Sequence, residues 1–374
     1  MKIAFILPAF YPSNKGTPAS IREKCRTLQQ FNQETIVICY HRYEEKEPYA
    51  KVYRIPRNPF YKRGSGPAFS RIFLDLLLFW KSIFVISKEK PDLLHAVTQE
   101  GALTAYFLKK IFKIPFVFDL ASISQKELIA SGFAKPQSLV ARTASFLDKK
   151  LPQKADFNIT VSQGILVWLQ KRGIKKAKFI PDTVDLNLFK PQAHPKTTNR
   201  IFIGYQGSLA KIQNLDLLFD IARATTFQNP KIVFKIGSSE NMAELNLRIK
   251  KEKLTKKIKL EKVEFSEAPG FINSCHLMII PRKLSVGTPV KLLNFLACGK
   301  PIVVFKKVVE NLSREKIVLK ANNEKEFQEG ILRLAQDRAL QERLGQKARN
   351  FALKNFNRRR QYQKLISVYH SSIK

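Results

Sequence analysis

The chain has 374 residues, of which 44% are hydrophobic, so it is long and apolar enough for two domains with separate cores. This composition excludes wholesale disorder. Lys and Arg total 66 against 30 Asp and Glu, which gives a formal net charge of +36. Such a positive field favours anionic partners, namely nucleic acid, anionic lipid or phosphorylated substrates. The alternative is that the organism or compartment makes the surfaces of all its proteins basic.

The start of the chain and its apolar segments predict a cytoplasmic protein without a membrane span. Met1 and Lys2 lead directly into a strand pattern, so no signal peptide is predicted. The strongest apolar stretch, Ile72 to Ile86, contains Asp75 and Lys81 and is too short to cross a bilayer. It predicts a buried or interfacial helix. The four cysteines have no metal-ligand spacing, as in a reduced protein with structural thiols.

The first half of the chain alternates strand and helix patterns. It opens with the apolar run Ile3 to Leu7, ended by Pro8, as expected for a parallel strand buried on both faces. A loop through Gly16 precedes a helical pattern from Pro18 to Leu28. Further strands are predicted at Thr35–Tyr40, Leu93–Val97, Phe116–Leu120, Phe157–Val161 and Lys178–Ile180, with helices over Ala102–Ile111, from Gln125 and over Gln163–Gln170.

A polar segment with two prolines and no period, residues 191–200, indicates a linker. The alternation then restarts, with strands predicted at Phe202–Tyr205, Ile232–Ile236, Ile258–Leu260, Leu277–Ile280 and Ile302–Phe305. A charged helical tail runs from Ala335 to Ile373. Alternation of this kind predicts two α/β domains, each a Rossmann-like, doubly wound parallel sheet, over residues 1–190 and 201–350. Ligands are expected outside the carboxyl ends of the strands, in a cleft between the domains.

Two similar elbows stand before predicted helices: Gly16-Thr17-Pro18 and Gly287-Thr288-Pro289. In each, glycine permits an unusual backbone turn, threonine is a good N-cap and proline suits the first helical position. A helix start presents free backbone N–H groups and partial positive charge, so both elbows are candidate phosphate-binding sites. The alternative is that each elbow is only a well-capped helix start.

Lys291 falls in the first turn of the helix after the second elbow. That helix is predicted to end with Gly299 as its C′ residue and Pro301 just beyond. A cation in the first turn opposes the helix dipole, at a cost of a few tenths to about 1 kcal/mol. A bound anion would offset this cost, so the position of Lys291 favours a phosphate ligand.

Several segments resemble glycosyltransferase family 4, whose members have the GT-B fold. Residues 155–191 (ADFNITVSQGILVWLQKRGIKKAKFIPDTVDLNLFKP) are similar to the stretch that closes the first domain of these enzymes. Gly204-Tyr-Gln-Gly207-Ser-Leu resembles the strand and turn that open their nucleotide-binding domain. Residues 281–304 (PRKLSVGTPVKLLNFLACGKPIVV) resemble their donor-site motif and the helix after it. The tail resembles their final helices, so residues 351–374 are expected to cross back onto the first domain.

The resemblance implies a retaining transfer of a hexose-type sugar from a UDP- or GDP-linked donor to a glycan or lipid-linked acceptor. Such a reaction would belong to cell-envelope polysaccharide or glycolipid synthesis. The second domain would hold the nucleotide and the first the acceptor. The resemblance implies no bound metal and no cofactor, so Lys, Arg and backbone N–H groups would stabilise the leaving diphosphate. With the basic charge, it predicts a peripheral position on the anionic inner face of the membrane.

The donor motif departs from the family pattern. The two positions of the family's Glu-x7-Glu hold Val286 and Asn294. Asn294 can still hydrogen-bond a ribose, less strongly than a carboxylate would, whereas the side chain of Val286 cannot.

The opening turn of the second domain departs as well. Where the family places an Arg and a Lys for the diphosphate, this chain has Ser208 and Gln213. We expect Lys291, together with Arg282 or Lys211, to replace the missing pair.

On the acceptor side, Asp119 and Glu127 are the candidate catalytic residues. Relatives carry a histidine two residues after the position of Asp119, where this chain has Ala121. Asp119 ends a predicted strand, where ligand-binding residues collect, so it is expected to contact the sugar or the acceptor. The alternatives are that Asp119 caps the next helix or pairs with a surface lysine.

Two further residues of the first domain have an open role. Arg22 lies one turn into the first helix and is predicted to reach the donor phosphates or the acceptor, unless it is a solvated charge. Arg26, on the same helix face, competes for that role. His95 is a weaker candidate, because a lone histidine is more often structural.

Three other functions remain open at this point. The lost Glu pair favours a non-catalytic protein that binds sugar or nucleotide on the same scaffold. The charge alone suggests nucleic-acid binding, but the basic residues are dispersed and no nucleic-acid-binding module is recognisable. An epimerase would need paired acid and base groups in the first domain, which offers few.

Overall fold

The computed structural model describes residues 1–12, 16–41, 47–57, 70–192, 200–283, 289–312 and 316–373. The chain divides into two compact units, Met1–Asp182 with Arg358–Lys374, and Thr183–Asn357. The first unit therefore ends at Asp182, eight residues before the predicted end of the first domain at residue 190. The reason is that Val184 and Phe189 are buried in the core of the second unit. Residues 193–199, most of the predicted linker, lie outside the described residues.

The first unit contains a parallel sheet of seven strands in the order β3-β2-β1-β4-β5-β6-β7. Its strands are β1 (Lys2–Phe10), β2 (Glu34–Tyr40), β3 (Lys51–Arg54), β4 (Leu93–Val97), β5 (Phe116–Asp119), β6 (Phe157–Thr160) and β7 (Ala177–Phe179). Its helices are α1 (Gly16–Gln30), α2 (Ser70–Glu89), α3 (Thr98–Phe112), α4 (Ser124–Ala130), α5 (Leu139–Lys154), α6 (Gln163–Gln170) and, from the end of the chain, α13 (Arg358–Ile373).

Helices cover both faces of this sheet. On one face, apolar residues of α1 and α13, such as Ile21 and Leu365, pack with Phe5 of β1. On the other face, α2, α3, α5 and α6 pack with the alternate residues of β1, such as Ile6. Residues 351–374 are predicted to return to the first domain, and α13 forms part of the first unit.

The second unit contains a parallel sheet of six strands in the order β10-β9-β8-β11-β12-β13. Its strands are β8 (Ile201–Gln206), β9 (Ile232–Ser238), β10 (Ile258–Lys262), β11 (Leu277–Ile280), β12 (Ile302–Phe305) and β13 (Leu319–Ala321). Its helices are α7 (Leu215–Gln228), α8 (Ala243–Lys251), α9 (Ala268–Asn273), α10 (Val290–Ala297), α11 (Glu324–Gln336) and α12 (Arg338–Asn355). The two doubly wound parallel sheets confirm the predicted fold class.

The predicted helical tail is interrupted twice. Asp337 ends α11 and caps α12, since its Oδ1 accepts from the N–H of Leu340 at 2.8 Å. Phe356 and Asn357 then separate α12 from α13. In the described part of the chain, no helix is both long and apolar enough to cross a membrane.

Candidate functional site

The order of strands in the second unit reverses beside β8. From β8 the chain proceeds to β9 and β10 on one side, and then to β11, β12 and β13 on the other. The carboxyl ends of β8 and β11 thus flank a topological switch point, where open α/β sheets bind ligands. Gly207 follows β8, Arg282 follows β11, and α10 begins at Val290.

Lys291, the second residue of α10, extends to the end of β8. Its Nζ donates to Tyr205 Oη at 2.9 Å and to Gln213 Oε1 at 3.0 Å. The same Nζ lies 4.2 Å from the centroid of the Tyr205 ring. Both acceptors are neutral groups. The ammonium is therefore held by dipoles and an aromatic face, while its charge is left without a carboxylate in hydrogen-bond contact among the described residues.

Gly207 provides the space for this ammonium. Its φ is +140°, and a Cβ at this position would lie 2.6 Å from Lys291 Nζ and 2.9 Å from Cε. The backbone conformation favours glycine, and a side chain here would displace the end of Lys291. The N–H of Gly207 donates to the carbonyl of Gly237 at 3.0 Å, which fixes the turn to the neighbouring strand β9.

The electrostatics around Lys291 disfavour its charged form. Burial and, to a smaller extent, the nearby charge of Arg282 lower the pKa of Lys291 to about 7, against the opposing effect of Glu240. Burial also lowers the pKa of Arg282. Glu240, the carboxylate that attracts Lys291, also accepts through Oε2 from the N–H of Leu209 at 2.8 Å. An anion bound here would relieve the repulsion between the two cations.

The structure brings some of the other predicted donor-site residues to this point. The Oγ of Ser208 accepts from the N–H of Ala210 at 3.2 Å. Asn294 lies one turn after Lys291 on the same side of α10 and is 8% exposed. Lys211 is exposed in the short 3₁₀ turn Lys211–Gln213. Of the two cations predicted to assist Lys291, Arg282 is therefore the one that influences it.

Helix α10 begins one residue later than predicted. Pro289 is its N-cap, with φ −64° and ψ 127°, and not its first helical residue. The correction follows from the extended ψ of Pro289, which places the first helical turn at Val290. Gly287, Thr288 and Val286 lie outside the described residues. The predicted end is confirmed, since Cys298 is the C-cap and Gly299 follows with φ +65°.

The first elbow also differs from its prediction. Helix α1 starts at Gly16, which has φ +60°, so Thr17 and Pro18 already lie within its first turn. Arg22, further along α1, pairs through Nε with Oε2 of Glu47 at 3.0 Å.

In the first unit, Asp119 lies in a buried network at the end of β5. Its Oδ2 accepts from Lys24 Nζ at 3.1 Å and contacts His95 Nε2 at 3.2 Å. The other ring nitrogen, His95 Nδ1, lies 2.7 Å from Tyr369 Oη. Lys24 Nζ also donates to Ser20 Oγ at 3.0 Å. The network joins α1, β4, β5 and α13.

The charges of this network have defined states. Burial lowers the pKa of His95, so the imidazole is neutral at pH 7. Because Asp119 only accepts, Nε2 of His95 carries the proton and Nδ1 accepts from Tyr369. Burial alone would raise the pKa of Asp119, but Lys24 and His95 lower it to about 2. Burial opposes the charge of Lys24, yet attraction to Asp119 raises its pKa.

Glu127 occupies a different environment. It is exposed in the middle of α4, and its Oε2 accepts from Ser122 Oγ at 2.7 Å. The start of α4 is held by another carboxylate, Asp148, which accepts from the N–H groups of Ser124 and Gln125 at 3.1 and 3.0 Å. The two candidate catalytic residues therefore belong to separate environments, and their catalytic role stays a prediction.

The sequence does not predict several of the contacts in these two clusters. Tyr205 and Gln213 stand within segments that resemble the donor domain, but nothing local marks them as acceptors for Lys291. Lys24 lies in α1, near the start of the sequence, whereas Tyr369 lies in α13, near its end. The only available signal was a lysine, Lys24, on the otherwise apolar side of a predicted helix.

Comparisons with known proteins agree with this architecture. The model described as Glycosyltransferase Family 4 matches residues 15–188, and the model described as Glycosyl transferases group 1 matches residues 188–351. A curated relative, the uncharacterized glycosyltransferase MJ1069 of Methanocaldococcus jannaschii, is 22% identical over 94% of each chain.

Two solved structures share the fold over nearly the whole chain. Sucrose-phosphate synthase from Thermosynechococcus elongatus superposes with a TM-score of 0.81 at 14% identity, covering 99% of this chain and 98% of that one. Anabaena Alr3699/HepE, solved in complex with UDP-glucose, gives 0.72 at 18% identity, covering 99% and 100%. The adjoining family matches and the shared GT-B fold lead to one conclusion: the chain belongs to the family 4-type glycosyltransferases.

Proposed function

We propose that the protein transfers a hexose-type sugar, with retention, from a UDP- or GDP-linked donor to a glycan or lipid-linked acceptor of the cell envelope. The observation that carries this proposal is Lys291 at the switch point, whose partly buried ammonium donates to neutral acceptors and has its pKa lowered to about 7. A charge kept in such surroundings is costly without a ligand, and a diphosphate supplies the missing negative charge.

Each side chain at this point has a proposed role. Lys291 and Arg282 neutralise the diphosphate and stabilise the charge that develops on it as the sugar leaves. Gly207 lets the phosphates and the Lys291 ammonium approach the backbone. Asn294, one turn along α10, hydrogen-bonds the ribose. The HepE complex with UDP-glucose supports a nucleotide-sugar donor for a chain of this fold.

The proposed reaction uses no metal ion. The neighbouring cations Lys291 and Arg282 can neutralise a leaving diphosphate in the way that a divalent cation does elsewhere. We expect the transfer rate to be the same after treatment with EDTA as in buffer with added Mg²⁺ or Mn²⁺. A rate that depends on either metal would contradict this part of the proposal.

The donor and the transfer are tested in two steps. Thermal-shift measurements with UDP-, GDP- and ADP-sugars at fixed salt identify the donor, because a ligand that binds only the native state raises stability by an amount set by its concentration and Kd. The donor that stabilises is then incubated with acceptor glycans, and NMR of the product gives the anomeric configuration. Retained configuration supports the proposal, whereas inversion or the absence of any stabilising donor overturns it.

A second candidate function is a non-catalytic protein that binds nucleotide sugar. The observation that favours it is Asn294, an amide where related enzymes carry a carboxylate. Binding of a donor without transfer or hydrolysis, under conditions in which a family 4 enzyme turns over, would select this second function.

Donor binding is expected to weaken as the pH rises above 7. The free protein holds Lys291 at a pKa of about 7, and a bound diphosphate raises that pKa. Binding above pH 7 therefore takes up a proton, and the Kd increases by up to about tenfold per pH unit until the pKa of the complex is reached. Calorimetry in buffers of different ionisation enthalpy measures the uptake. Affinity that stays constant from pH 6 to pH 9 would contradict this linkage.

We further propose that the protein works as a peripheral protein on the inner, anionic face of the membrane, where lipid-linked acceptors are located. Its formal charge of +36 supports this location, because each Lys or Arg near an anionic surface contributes about 1 kcal/mol of attraction.

A further inference from the structure

The outer side of α2 carries a row of large apolar side chains. Phe73, Leu76, Trp80 and Phe84 are each 55–66% exposed. Their spacing of three, four and four residues places them on one stripe of the helix. The opposite stripe packs into the core of the first unit, as Leu78 does at 1% exposure. Helix α2 is therefore apolar on two sides, of which only one is buried.

Helix α3 extends this exposed surface. Phe107 and Ile111, one turn apart, are 45% and 54% exposed. The Phe107 ring lies 6.2 Å from that of Phe79 on α2, and Phe79 lies 5.7 Å from Trp80, so the two helices present one continuous surface. We call it the aromatic face, and it consists of Phe73, Leu76, Trp80, Phe84, Phe107 and Ile111.

The charges beside the aromatic face are predominantly positive. Lys110 Nζ lies 4.7 Å from the centroid of the Tyr106 ring, and Lys81 Nζ lies 5.6 Å from that of Phe84. Of the two carboxylates on α2, Glu89 pairs with Lys51 at 2.6 Å, and Asp75 accepts a hydrogen bond from Tyr40 Oη. Asp156 likewise pairs with Lys109 at 2.6 Å. The ammonium groups of Lys81 and Lys110 thus lie beside aromatic rings of α2 and α3.

We propose that the aromatic face inserts into the interface of an anionic lipid bilayer. Monomeric soluble proteins rarely expose continuous apolar surface of this kind. Tryptophan and lysine together suit the boundary between acyl chains and headgroups, where rings enter the apolar layer and ammonium groups meet phosphates. A second copy of the chain is a poor occupant, because two molecules of charge +36 repel each other. This inference rests on the proposed location at a membrane, and it identifies the surface that would contact the lipid.

Tryptophan fluorescence tests the insertion directly. The chain has two tryptophans, Trp80 and Trp168, so a Trp168→Phe variant reports from the aromatic face alone. With vesicles of equimolar phosphatidylcholine and phosphatidylglycerol, we expect a blue shift and quenching by brominated acyl chains. Binding of the vesicles without either spectral change would overturn the proposal, because the protein would then be held by its charge alone.

Paired variants identify the surface. Trp80→Ser combined with Phe84→Ser should lower the partition into these vesicles by roughly tenfold or more. The control is Leu247→Ser, which removes a side chain that is 67% exposed on α8 of the second unit, beside Lys250 and Lys251, and should bind like the parent. Equal binding by the parent and the double variant, or a dimer of the parent that the double variant lacks, would overturn the proposal.

The same variants separate this inference from the proposed transfer reaction. The serine variants alter exposed residues, so their melting temperatures and their affinity for a nucleotide sugar without vesicles should equal those of the parent. If the double variant binds the donor normally and also partitions into vesicles like the parent, only the proposal for the aromatic face is rejected. Normal lipid binding without any nucleotide-sugar affinity rejects the proposed function alone.

Discussion

Replacing Lys291 by methionine is expected to weaken donor binding by about tenfold to a hundredfold, the usual effect of losing a charge-assisted hydrogen bond. The free protein should not be destabilised. Burial lowers the pKa of Lys291 to about 7, against an unfolded value of 10.5, so its charge reduces stability fully below pH 7. This cost declines as the pH rises from 7 to 10.5. The Tm of the variant should therefore equal or exceed that of the parent at pH 6, with the difference shrinking at higher pH.

Lys211→Met is the matched control, because Lys211 is a nearby lysine that is exposed. We expect its donor affinity to fall less than that of Lys291→Met and to depend more on salt, as for a screened surface charge. Titrations of both variants with the same nucleotide sugar measure the difference. Loss of affinity in the Lys211 variant, with none in the Lys291 variant, would move the phosphate site away from α10.

The second large effect concerns the buried pair of Lys24 and Asp119. Asp119→Ala leaves the Lys24 ammonium buried without its carboxylate, a change that typically costs about 3–5 kcal/mol. For a unit of this size, the Tm should fall by roughly 10 °C. Because Lys24 and His95 lower the pKa of Asp119 to about 2, the stabilisation by this carboxylate is present above pH 4 and is lost as the pH falls towards 2.

A double variant distinguishes stability from chemistry. Lys24→Met combined with Asp119→Leu removes both charges and should recover most of the lost stability. Thermal melts and transfer assays of the single and double variants provide the comparison. If Asp119→Ala melts like the parent and loses only transfer, Asp119 is a catalytic residue, as the sequence predicts, and the buried network does not depend on it.

The sequence predicted the central strands well because they are continuous apolar runs. Leu277 to Ile280 is such a run, and β11 has the same bounds with all of its residues buried. The edge strand β3 was missed because Lys51–Arg54 is only four residues long, has a charged residue at each end and is at most partly buried. The edge strand β13 is only three residues long, so it provides too little pattern to detect. Pairing with a neighbouring strand, which is a tertiary effect, defines both edges.

The candidate site was predicted less completely. Lys291 was identified from its unfavourable place in a helix, which is a local signal. Its acceptors Tyr205 and Gln213 are 86 and 78 residues away in the chain. The contact of His95 with Tyr369 spans 274 residues. Such pairs arise only when distant strands and helices pack together, so no local pattern encodes them.

A crystal structure of the protein with a bound nucleotide sugar would show whether Lys291 binds the diphosphate. The phosphate position is what must be determined. We expect a phosphate oxygen to lie within about 3 Å of Lys291 Nζ, at the carboxyl end of β8. The ammonium would then either leave Tyr205 Oη or donate to both oxygens. A nucleotide whose phosphates contact other cations, while Lys291 keeps only Tyr205 and Gln213 as partners, would exclude Lys291 as the phosphate-binding residue.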